Sequence, residues 1–121
     1  METTVDLTAD IIDVRDIIER VKQLRTYAPD PNDVYEHMTL RSILADLVGY
    51  GGDEKWEGDW YPVTLVRDSY FTTYARELLE DCGTIPRDLP SWVEIDWDAT
   101  ARNVRMDYTA IEIDGTTYWY R

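Results

Sequence analysis

At 121 residues the chain has one domain's worth of sequence and can bury roughly two thirds of its unfolded surface in a single core. Hydrophobic residues make up 44% of it and aromatics 12%, which argues against disorder even at a formal net charge of -13. A charge of that size repels nucleic acid and anionic membrane, so direct binding to either is not expected, and a basic protein partner is favoured.

The acid surplus runs through the whole chain. Residues 1–27 hold six acids to four bases, residues 28–67 eight to three, and residues 68–121 eleven to five. Cys82 is the only cysteine, so no internal disulfide framework is available, which suits a reducing cytoplasm. The opening METTVDLTAD has neither a basic n-region nor an apolar h-region, and no later run has the apolar length of a membrane span. A cytoplasmic protein with no membrane partner is the expectation.

In chain order, residues 9–26 read as an amphipathic helix. Ile11, Val14, Ile17, Ile18, Val21 and Leu24 form one apolar stripe at three- and four-residue steps. Thr8 or Asp10 is expected to cap it, Asp13 to sit in its first turn, and Pro29 and Pro31 to end it. Its outer face alternates in sign, which suits solvent, and also makes it a candidate pairing face in a homodimer. Residues 30–38 read as a polar connection, and Thr39 as the cap of a short helix that ends at Gly49. Residues 49–62, GYGGDEKWEGDWYP, read as a Gly-rich loop whose aromatics Trp56, Trp60 and Tyr61 lie over the core edge or form part of a recognition surface.

Residues 63–67 form a short β-rich run. Asp68 or Ser69 is expected to cap a helix over 69–82 that buries Tyr70, Phe71, Tyr74, Ala75, Leu78 and Leu79 and stops at Gly83. Residues 84–95 form a loop, and Asp96 is placed to cap a helix over about 97–106. Asp114-Gly115, between two β-rich runs in 108–121, is the dipeptide of a two-residue type I′ hairpin, pairing Ile111 with Tyr118 and Ala110 with Trp119. The fold class that follows is α+β. It is a single small domain in which helices pack on a small antiparallel sheet closed by the C-terminal hairpin, with an N-terminal helical arm.

Little in this inventory supports catalysis. His37 and Cys82 are the only residues of their kinds and lie far apart, and Cys82 falls near a helix C-terminus, where the dipole raises a thiol pKa. Asp30, Asp33, Glu36 and His37 lack the alternating acids and sixth-position Gly of a calcium loop, and no second His or thiolate supplies a zinc site. The Gly-rich loop has no GK[ST] ending and is flanked by acids that repel phosphate. No catalytic residue, metal or cofactor is assigned.

Charge is the remaining chemistry. Duplex DNA carries about one negative charge per 1.7 Å of axis, and carboxylates three or four residues apart on a helix lie roughly 5–6 Å from one another. Asp10, Asp13 and Asp16, then Glu77, Glu80 and Asp81, then Glu94 and Asp98 have such spacings. Glu77, Glu80 and Asp81 fall at the end of their helix, where acids oppose the dipole, so local stability does not select them. Arg76 and Arg87 are placed to neutralise part of that charge.

Tyr74-Ala75-Arg76-Glu77-Leu78, Gly83, Ile85-Pro86, Leu89, Ile95-Asp96-Trp97, Ala101-Arg102 and Asp107-Tyr108 together resemble the C-terminal part of the antirestriction ArdA proteins. The resemblance covers 68–121, and residues 1–67 show no match to that family's N-terminal domains. It implies an acidic DNA mimic from a phage or mobile element, commonly dimeric. Such a mimic occupies the basic DNA-binding groove of a host type I restriction–modification enzyme or, in a shortened relative, of a CRISPR nuclease. The alternative reading is an acidic adaptor or phage accessory protein without mimicry.

Overall fold

The computed structural model describes residues 3–50, 52, 54–86 and 88–121. Among them are six strands and four α-helices: β1 (Ile11–Asp13), α1 (Val14–Thr26), α2 (Pro31–Leu47), β2 (Glu54–Trp56), β3 (Asp59–Tyr61), β4 (Thr64–Arg67), α3 (Phe71–Asp81), α4 (Trp97–Arg105), β5 (Thr109–Ile113) and β6 (Thr116–Tyr120). A 3-10 turn, Asp68–Tyr70, leads into α3. The architecture is a mixed α+β single domain on a four-stranded antiparallel sheet, ordered β1-β4-β6-β5 and closed by the β5–β6 hairpin.

Alternation along β4 explains the layering. Leu65 and Val66 point to opposite faces of the sheet, and both are fully buried. Leu65, Ile12, Ile111, Ile113, Tyr118 and Tyr120 form one core with α1 and α2, which contribute Val14, Ile17, Val21, Leu40 and Leu44 among others. Val66 joins Phe71 and Ala75 of α3 and Ala101 of α4 in a second core on the other face, walled by Tyr74, Tyr108 and Trp119. The N-terminal helical arm is thus folded onto the sheet, and strands from both halves of the chain complete it.

The hairpin has the expected register, with Ile111 opposite Tyr118 and Ala110 opposite Trp119. Asp114 and Gly115 both take positive φ, at 51° and 80°, as a type I′ turn requires. Asp96 caps α4, accepting from Ala99 N at 3.0 Å. Gly83, at φ 75°, ends α3, after which the N–H groups of Thr84 and Ile85 both donate to Leu79 O.

Four expectations are corrected. The first helix begins at Val14, because residues 11–13 are drawn into the sheet against β4; Asp13 is the N-cap rather than a first-turn residue, and neither Thr8 nor Asp10 caps it. Residues 31–38 are helical, with Asp30 as the N-cap. Asp30 and Asp33 form a reciprocal capping box around Pro31, whose fixed φ and missing N–H suit a first helical position. Thr39 is interior to α2, its hydroxyl donating to Tyr35 O at 3.0 Å. Within 49–62, β2 and β3 pair through Glu57-Gly58, with Glu57 held at φ 51°. Finally, neither Asp68 nor Ser69 makes a side-chain cap; the Asp68 carboxylate accepts instead from Trp119 Nε1 at 2.9 Å, with Arg105 at 3.7 Å.

A candidate acidic interface

Among the eight acids singled out by spacing, Asp13 and Glu80 are engaged by arginines near them in sequence. Asp13 accepts from Arg15 N at 2.9 Å and pairs with the Arg15 guanidinium at 2.7 Å; that hydrogen bonding holds its carboxyl below the usual range. Glu80 pairs with Arg76 Nε at 2.9 Å, one turn back on α3. Both carboxylates therefore bring a compensating cation with them. Arg87, the other expected neutraliser, lies outside the described residues.

Asp10, Asp16, Glu77, Asp81, Glu94 and Asp98 are exposed. Asp16 and Asp98 sit in the first turns of α1 and α4, where the dipole favours them. Asp81 ends α3, whose last turn contains no basic residue. Glu94 precedes α4, which packs against α3. The surface thus carries exposed acids from both helical layers.

One cluster is created by the tertiary fold. Tyr70 stands on the 3-10 turn between β4 and α3, and its hydroxyl is pushed above the ordinary phenol range first by the charge of Glu77, then by desolvation and by Asp10. Asp10 and Glu77, 67 residues apart in sequence, therefore both act on the same hydroxyl. Asp10 is fixed there by its main chain, because Asp10 O accepts from Arg67 N at 2.8 Å at the start of the β1–β4 pairing. Arg67 itself is turned toward Thr8 O, at 2.9 Å.

Asp6 belongs to the same neighbourhood and escaped the spacing argument. Its carboxylate accepts from Thr8 N at 2.8 Å and Thr8 Oγ1 at 2.6 Å, and the hydroxyl bond most of all lowers its pKa. The Asp-x-Thr pattern of a side-chain turn is its one sequence signal. Asp6 and Asp10 both raise the Tyr118 hydroxyl, after burial has done so. Tyr118 in turn donates toward Leu7 O and Ala9 O, at 2.9 and 2.8 Å, which pins this acidic segment to the sheet.

Among the described residues, no three His, Cys, Asp or Glu side chains are grouped to hold a metal ion, and no helix is long and apolar enough to cross a membrane. Cys82 is exposed at the C-terminal end of α3. The chain matches no family model, no curated protein and no solved structure.

Proposed function

We propose that the protein is an acidic DNA mimic that inhibits a host DNA-handling defence enzyme, a type I restriction–modification complex or a CRISPR nuclease, by occupying its basic DNA groove. The observation that carries this reading is the spread of exposed acids, Asp10, Asp16, Glu77, Glu94 and Asp98, over the N-terminal segment and both helical layers, with the charges of Asp10 and Glu77 both raising the Tyr70 hydroxyl. A mimic needs this kind of cross-element array, because one helix supplies charge along only one line. The net charge of -13 and the resemblance of residues 68–121 to the ArdA C-terminal part support the same reading.

In such a mechanism the fixed carboxylates take the place of backbone phosphates. Binding is steered by charge and weakened by salt, since the partner's Lys and Arg side chains exchange DNA for carboxylates. The test is a binding assay with a purified type I restriction–modification complex and a purified Cas9-type nuclease, each with and without duplex DNA. Saturable binding to either enzyme, displaced by DNA and released by added salt, is expected. Absence of binding to both, or binding that DNA does not displace, overturns the reading.

A further inference from the structure

A second recognition surface lies at the opposite edge of the sheet from β1. Strand β5 is terminal in the order β1-β4-β6-β5 and pairs on one side only, with β6. A two-residue turn makes Ile113 and Thr116 a hydrogen-bonded pair, so Ile111 and Thr109 also bond to β6. The N–H and C=O groups of Ala110 and Glu112 consequently point away from the sheet. Among the described residues, no backbone group outside β6 is bonded to them.

The Glu112–Ile113 end of this edge borders a groove of about 570 Å³ walled by α2 and by Leu7 and Thr8. Tyr35 and Met38, 74% and 66% exposed, line it, and its floor includes Ile113. Its charged residues are Asp46, Glu112 and Asp114, with no Lys or Arg. Apolar side chains and acids with no facing cation therefore share one cleft, which adjoins the outward main-chain groups of Glu112.

The geometry points to β-strand addition at this edge: an extended peptide of a partner protein, with apolar and basic side chains, pairs with Ala110 and Glu112 and directs cations to Asp46 and Asp114 on the α2 side of the sheet and to Glu112 on the other. Main-chain bonds then supply affinity, and the acids supply selection. A second copy of this chain is a poor occupant, because its β5 has no basic residue and brings the same acids to the cleft. Leu7 and Thr8 of the N-terminal segment line this groove, but neither Asp10 nor Glu77 does, so substitutions at Asp10 and Glu77 and at the β5 edge test the two readings independently.

The test titrates the full chain with a capped Lys-Val-Lys-Val-Lys-Val-Lys-Val peptide while amide hydrogen exchange is followed. Slowing of Ala110 and Glu112 exchange by tenfold or more, at least tenfold weaker binding of the matching Glu-Val peptide, and loss of binding in Ala110→Pro are expected. Proline removes an outward N–H there and leaves the β5–β6 bonds in place. Should that variant fail to fold, Asp46→Asn with Glu112→Gln must weaken Lys-Val binding by at least threefold. Equal binding of the two peptides, unchanged exchange at Ala110 and Glu112, or pairing of β5 with a second copy in place of the peptide overturns the proposal.

Discussion

Arg20 and Glu36 form a two-point ion pair between α1 and α2, at 3.0 and 2.9 Å, with the Arg20 side chain only 10% exposed. Asp33 adds a weaker contact at 3.8 Å. Arg20 lies beside the apolar stripe of α1, so burying it demands a carboxylate from the facing helix. Glu36→Ala should therefore cost about 2 kcal/mol in denaturant unfolding, an interior value reduced because Glu36 is a third exposed. Asp33→Ala should lose less by the ion pair but add the loss of its capping-box bond.

Leu65 and Val66 separate the two cores. Leu65→Ala should destabilise by about 3 kcal/mol, since it empties a fully buried position against α1 and α2. Asp96→Ala should cost about 1 kcal/mol through loss of the α4 cap. Urea titration of both variants checks the ranking, and a cap loss as large as the core loss would contradict it.

Stability should fall at both pH extremes. Tyr108, close to Tyr74 with hydroxyls 3.5 Å apart, and Tyr118, Tyr120 and Tyr61 all have raised phenol pKa values, chiefly from burial. The unfolded chain releases those protons near pH 10 while the folded chain retains them, so their contribution is complete below about pH 10 and is lost as pH rises further. Asp6, Asp13 and Glu57 have lowered values, from Thr8, Arg15 and Arg25 hydrogen bonds respectively; their contribution holds above about pH 4 and is lost as pH falls through the folded values. Thermal unfolding across pH should give a plateau between these limits.

Tyr70 reports directly on the acidic cluster. Its hydroxyl is held high first by the Glu77 carboxylate, so Glu77→Gln should lower its pKa toward the ordinary phenol value. Asp10→Asn should act in the same direction and less strongly. Ultraviolet titration of each variant, compared with one carrying Tyr70→Phe, isolates the signal. An unchanged Tyr70 titration in Glu77→Gln would place that carboxylate elsewhere.

Local rules explain what could be read before the fold. Asp114-Gly115, Asp96 and Gly83 each act within a few residues, and each takes the role its chemistry dictates. Pro31 misled because a proline that ends one helix also suits the first turn of the next, and here the Asp30–Asp33 box opens α2 at that point. The β2–β3 turn was hidden by Glu57, a residue uncommon at positive φ. β1 is three residues long, and its strand identity comes from β4 alone. For the candidate interface, spacing found Asp10 and Glu77 individually, but their shared effect on the Tyr70 hydroxyl depends on the fold that the β1–β4 pairing sets up. The engagement of Glu80 by Arg76 likewise separates acids that spacing made equivalent.

The most direct measurement is the affinity of Asp10→Asn with Glu77→Gln, and of Glu80→Gln alone, for a restriction or CRISPR enzyme that binds the wild-type chain. The double variant should bind at least about fivefold more weakly at low ionic strength, with a smaller difference at high salt, whereas Glu80→Gln should change little because Arg76 already engages that carboxylate. Unchanged binding of a correctly folded double variant would contradict the placement of the working surface at Asp10 and Glu77.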